Sequence, residues 1–167
     1  MADAEIKERR IIVAVDEGEE SIYALKWCLN NIIYSNFKDT LILLHAKPRP
    51  AVYGAMDGTG YLFSADLMAN MERYSIELAN RVIEKAKNVC KDLHQDVKVL
   101  TKIETGDPRD VICEMVEKSG ADLLVMGSHG YGLIQRAFLG SVSNHCAQNV
   151  KCPVMIVKKP KSTAVDA

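Results

Sequence analysis

The chain has 167 residues, 48% of them hydrophobic and 26% charged, with 21 Lys and Arg against 22 Asp and Glu. That length predicts one domain over residues 1–167 with its own core, and that composition excludes extended disorder. A net charge of −1 creates no single-sign field, which weighs against nucleic acid as a partner.

Ile11-Ile12-Val13-Ala14-Val15 is a nearly continuous, β-branched apolar run ending at Asp16, the pattern of a strand covered on both faces. Glu19, Glu20 and Ser21 introduce a first helix, with acids placed for its dipole. Leu25, Cys28, Leu29, Ile32 and Ile33 line one face of it. Thr40 to Ala46 reads as a second buried strand, stopped by Pro48 and Pro50. Residues 48–64 mix Pro, Gly, Tyr, Met and Asp without a period and are expected to form a mobile loop. A long helix is expected over about 66–93, with Leu78, Val82, Ala86, Val89 and Leu93 on one stripe. Val97, Val99, Thr101 and Ile103 alternate, as on a sheet edge with one wet face.

Asp107-Pro108 is a helix start, Asp as N-cap and Pro at the first helical position. Val111, Ile112, Met115 and Val116 supply its apolar face, and Gly120 ends it. Leu123 to Met126 is the fourth strand, a helix over about 141–150 follows, and Val154 to Val157 is the fifth strand. The order βαβαβαβαβ predicts one α/β layered domain with a mainly parallel sheet.

The five cysteines are odd in number and contain no Cys-x-x-Cys pair, which fits free thiols in a reducing compartment. Cys28, Cys90 and Cys113 read as buried helix fillers, and Cys146 and Cys152 as inert. No apolar run approaches a membrane span, and the charged start is not a signal peptide. The expectation is a cytoplasmic protein without a membrane partner. Lys158, Lys159 and Lys161 read as a solvated tail.

The stretch from Gly127 to Ser143 carries the chemistry. It follows a strand, holds Gly127, Gly130 and Gly140, and leads through Ser141 into a helix. Backbone amides without side-chain bulk, next to a helix N-terminus, suit an anionic phosphate. The spacing is Gly-x2-Gly-x9-Gly-Ser. It is not a Walker loop, because no lysine precedes Ser141, nor a dinucleotide loop, because Gln135 stands where a third glycine belongs. In open α/β sheets ligands sit beyond the carboxyl ends of the strands where the order reverses. If the first and fourth strands are neighbours there, Asp16 and the glycine loop share one crevice. Asp16 also fits a cap of the first helix and Ser141 an N-cap of the fourth. His129 also fits a plain turn residue, His45 and His145 read as structural, and Arg136 as a solvated arginine.

The chain resembles the universal stress protein family, in its nucleotide-binding branch and like its plant single-domain members, over about residues 8–160. The resemblance lies in Ile-Val-Ala-Val-Asp, Leu-Leu-His-Ala, Gly-Asp-Pro, Ala-Asp-Leu-Leu-Val-Met-Gly-Ser-His-Gly, Leu-Gly-Ser-Val-Ser and Cys-Pro-Val-Met-Ile-Val, in that order. It implies a Rossmann-like three-layer α/β/α fold with a five-stranded sheet ordered 3-2-1-4-5. It also implies a stress-response regulatory role, an ATP or AMP pocket, and a homodimer paired through the last strand. By position, Ala14, Val15 and Asp16 would border the adenosine, and Ala46 the base. Met126 would give an apolar surface, with Gly127, Ser128, His129 and Gly130 approaching ribose and phosphates. Gly140, Ser141, Val142 and Ser143 would offer amides and hydroxyls to the phosphates. Asp16-Glu17-Gly18-Glu19-Glu20 departs from the Asp-Gly-Ser of many relatives, and its extra acids would either weaken a triphosphate's tail or help hold a metal. Two other functions stay open. One is a slow ATPase or phosphotransferase using Ser141, Ser143, His129 and Mg²⁺ near Asp16. The other is a dimeric, chaperone-like interaction protein, suggested by the apolar edge Val154 to Val157.

Overall fold

The computed structural model describes residues 8–34, 38–49, 61–93, 96–129 and 139–160, with side chains of the long helix described from Ala65 onward. Among these residues the strands are β1 (Arg9–Ala14), β2 (Asp39–Lys47), β3 (Lys98–Thr105), β4 (Leu123–Gly127) and β5 (Val154–Val157). The helices between them are α1 (Glu19–Asn31), α2 (Tyr61–Leu93), α3 (Pro108–Ser119) and α4 (Ser141–Asn149). The strands form one sheet in the order β3-β2-β1-β4-β5, every pair parallel. Parallel neighbours require a crossover, and each crossover here carries a helix.

The period of two along each strand sorts the core into two layers. Ile11, Val13, Leu41, Leu43 and Val125 pack with Leu25, Leu29, Val82 and Ala86 of α1 and α2. Ile12, Ile42, Leu44, Leu124 and Met126 pack with Ile112, Met115 and Cys146 of α3 and α4. Both faces of the central strands are therefore dry, which is why their sequences are apolar without alternation. Burial pushes the thiols of Cys28 and Cys146 up to about 12 and that of Cys90 to about 11, so they are small apolar fillers.

Local chemistry fixes the element ends. Asp107 caps α3 by accepting the Arg109 amide at 2.9 Å. Gly120 closes the helix in the left-handed region at φ 61°, which costs a residue with a Cβ more than it costs glycine. At the amino ends of the strands Arg9 clamps Asp39 through two hydrogen bonds of 2.7 Å and reaches the Ile32 carbonyl at 3.0 Å. The Asp39 side chain is 1% exposed, so this pair satisfies a charge the fold has taken out of water.

Four expectations need correction. The long helix begins at Tyr61, not near 66, and so takes residues 61–64 from the expected loop; residues 50–60 of that loop lie outside the described residues. No Gly or Pro occurs from 61 to 93, so each added residue gains a hydrogen bond once the helix is nucleated. Leu93, assigned to its buried stripe, is exposed, whereas Ala79, Ile83 and Cys90 are buried. β3 does occupy an edge, but Leu100 and Ile103, on opposite faces of the strand, are both exposed, so the strand is wet on both sides. Lys159 is not a solvated tail residue: its amine pairs with Glu19 at 2.5 Å, tying the segment after β5 to the start of α1.

Candidate functional site

From β1 the chain passes to β2 and β3 on one side, and β4 and β5 lie on the other, so the sheet order reverses between β1 and β4. At the carboxyl ends of these strands is a crevice of about 250 Å³. One wall is Ala14 at the end of β1 and Val15 and Asp16 after it, with Leu44, His45 and Ala46 of β2. Another is Met126, Gly127 and His129 of β4 and its continuation. Gly140, Ser141, Val142 and Ser143 at the start of α4 close a third side, and Pro108 and Ile112 of α3 a fourth.

The turn after β1 is held by its own side chains. Asp16 Oδ1 accepts the Gly18 amide at 2.8 Å and lies 3.1 Å from Ser21 Oγ, which in turn accepts the Asp16 amide at 3.0 Å. Asp16 thus orders the turn into α1 while its residue lines the crevice; the helix N-cap itself is Gly18. His45 is buried, and its Nδ1 stands 2.9 Å from the Val15 carbonyl. A carbonyl only accepts, so Nδ1 carries a proton and donates it to this bond.

The start of α4 is anchored through Ser128. Its carbonyl accepts the Gly140 amide at 2.8 Å and the Ser143 hydroxyl at 2.8 Å, which docks the start of α4 on the end of β4. The N-cap of α4 is Gly140 in an extended conformation without a side-chain cap bond, and Ser141 is the first helical residue. The expected Ser141 cap is therefore corrected: Ser143, two residues on, supplies the hydroxyl that ties the turn, donating to Ser128 and Gly140 carbonyls. The first intrahelical bond runs from the Asn144 amide to the Gly140 carbonyl at 2.9 Å. The amides of Ser141, Val142 and Ser143 precede it and have no acceptor within the helix. They form the electropositive end of α4, and they border the crevice.

Of the residues expected at a site, Ala14, Val15, Asp16, Ala46, Met126, Gly127, His129, Gly140, Ser141, Val142 and Ser143 come together on this one crevice. Ser128 does not line it; its hydroxyl faces Glu20 Oε2 at 3.4 Å and His129 Nδ1 at 3.1 Å. Gly130 and Arg136 lie outside the described residues. Ser21, Leu44, His45, Pro108 and Ile112 line the crevice without having been expected there. His45, Leu44 and Ile112 were hidden in apolar runs whose burial reads as packing alone, and here they both pack and form a wall. Two of the extra acids, Glu19 and Glu20, are engaged beside the crevice. Glu19 is taken by Lys159, whose amine holds its carboxyl below the usual range. Glu20 faces Ser128 and the Lys159 amide. Neither is among the residues lining the crevice.

A model of the universal stress protein family matches residues 8–158. The chain belongs to the universal stress protein family. It is 34% identical over 136 residues to a universal stress protein A-like protein of Arabidopsis thaliana, covering 81% of this chain and 77% of that one. A universal stress protein family protein from Arabidopsis thaliana, crystallised with AMP bound, superposes with a TM-score of 0.66 at 26% identity, over 92% of this chain and 93% of its own. A universal stress protein in complex with cAMP superposes with a TM-score of 0.63 over 89% of this chain and 96% of its own; at 22% identity that likeness carries the fold only. Structural neighbours in the family thus hold adenine nucleotides. Among the described residues no helix is long and apolar enough to cross a membrane.

Proposed function

We propose that this universal stress protein binds AMP or ATP in the crevice between β1, β4 and α4 and works as a nucleotide-responsive regulatory protein. The observation that carries the reading is the union, in one cavity, of the free α4 amides with the carboxylate turn at Asp16 and the apolar surfaces of Ala46 and Met126. In this reading the phosphate lies against the amides of Ser141, Val142 and Ser143, where the helix end favours an anion. Asp16 accepts a ribose hydroxyl, and the base lies between Ala46 and Met126. Ser143 offers its amide; its hydroxyl proton is committed to main-chain carbonyls. The AMP-bound relative from Arabidopsis thaliana supports the ligand class. Mg²⁺ enters only as part of a magnesium–ATP ligand. Among the described residues no group of three His, Cys, Asp or Glu side chains is placed to hold a metal ion.

Calorimetric titration of nucleotide-stripped protein tests this. AMP is expected to saturate at one site per chain. Ser141→Pro is the informative variant. Proline suits the first helical position, and the extended Gly140 before it, at φ −64° and ψ 162°, suits a pre-proline residue. The helix is kept and one amide donor is removed, so affinity for AMP is expected to fall roughly tenfold or more, the scale of a hydrogen bond to a charged group. Undiminished affinity in that variant would place the phosphate elsewhere.

We also propose that β5 pairs with β5 of a second copy. β5 is an edge strand hydrogen-bonded to β4 on one side, and Val154, Met155 and Ile156 are only partly buried. Edges of this kind seek a partner. Light scattering after size exclusion at micromolar concentration is expected to give twice the chain mass; a monomer mass would contradict the pairing.

A further inference from the structure

The larger of two adjoining cavities is not the crevice. Beside it opens a space of about 690 Å³, well within the range of small-molecule sites, whereas the crevice at about 250 Å³ falls just below that range. The two share Asp16, His45, Ala46 and Pro108. None of the four belongs to α4, and His45 and Ala46 stand on β2, which β1 separates from β4 and the α4 that follows it. A ligand anchored by its phosphate on the α4 amides therefore points its base, not its phosphate tail, toward the larger space.

We propose that this space is a base-side subsite, and that the protein takes adenine nucleotides whose base carries a neutral aromatic or aliphatic substituent. The proposal rests on the nucleotide reading of the crevice. The subsite exists because α2 is long. Its 33 residues span about 50 Å, but among its described side chains the buried ones, Ala79, Val82, Ile83, Ala86 and Cys90, all lie in the second half. The first half runs past the end of β2 and forms the outer wall of the cavity, with Met71, Tyr74 and Leu78 facing it and Pro48 at the end of β2 opposite. Glu72 pairs with Lys47 across this junction at 2.5 Å, which holds the wall against the strand.

The lining selects for a neutral group. Met71 and Tyr74 are 42% and 61% exposed, an apolar and aromatic surface that a ring would cover by stacking and sulfur contact. The charges argue the same way. Groups of both signs, Asp16 and Glu17 against Arg49, border the space, so neither an anionic nor a cationic substituent finds a uniformly complementary wall. Glu72 is already neutralised by Lys47. Ligands extended at the phosphate end, such as dinucleoside polyphosphates, gain nothing from this cavity, because that end points the other way.

The test is calorimetry on the full chain with AMP, N6-benzyl-AMP, C2-benzyl-AMP and the benzyl phosphoester of AMP. At least one of the two base-substituted nucleotides is expected to bind about tenfold more tightly than AMP, and the phosphoester no more tightly. In Tyr74→Ala and Met71→Ala, both exposed positions, the advantage is expected to fall below about twofold with AMP affinity unchanged. Equal or weaker binding of both base-substituted nucleotides, while AMP binds, overturns the subsite and leaves the crevice reading intact; that result follows if another part of the chain or a second copy fills the cavity. Failure of AMP and all its derivatives to bind overturns both.

Discussion

At the residue scale, Asp107 shows how one side chain sets an element that the site depends on. Its carboxylate accepts the Arg109 amide at 2.9 Å and the Arg109 guanidinium at 3.1 and 2.8 Å. Those bonds, the guanidinium first, lower its pKa from 3.8 to about 2. Because the folded value is depressed, the cap stabilises α3 fully above the ordinary carboxylate pKa, and that contribution is lost as the pH falls through about 2. The carboxyl carbon of Asp107, followed by NMR, is expected to titrate with a midpoint near 2; a midpoint at 3.8 would mean that the cap is not formed in solution. Pro108 and Ile112, which α3 presents to the crevice, are positioned by this start.

At the element scale, the approach of α1 to β4 depends on Gly127. A Cβ there would stand 3.0 Å from the Glu20 carbonyl carbon and 3.1 Å from its oxygen, main-chain atoms that have nowhere to retreat. The glycine is thus required by helix–strand packing, whatever ligand lies in front of it. Gly127→Ala is expected to destabilise the fold by about 1–3 kcal/mol in urea denaturation, the cost of overpacking. A change below about 0.5 kcal/mol would show that α1 moves freely. The sequence made the phosphate reading of this glycine legible but not the packing one, because Glu20 is over a hundred positions away and only the folded chain brings it there. α3 was legible in full, since Asp107, Pro108 and Gly120 are local signals. The start of α2 was not, because helix propagation through Tyr61, Leu62 and Phe63 leaves no periodic mark. The α4 cap was misplaced because Ser141 suits a cap by composition, whereas in the fold Gly140 is the cap and Ser143 ties the turn through the Ser128 carbonyl.

At the scale of the whole molecule, the reversal of strand order between β1 and β4 makes the crevice, and the length of α2 enlarges its far side. The strand order followed from a family resemblance and is observed. The larger cavity had no sequence signal, because its walls come from β2, the turn after β1, α2 and α3. The central claim, that an adenine nucleotide lies across the reversal with its phosphate on α4, is tested most directly by a crystal structure of the AMP complex. The account predicts phosphate oxygens within about 3 Å of the Ser141 and Val142 amides, with the base beside Ala46. AMP bound elsewhere, or with its phosphate turned away from α4, would contradict it.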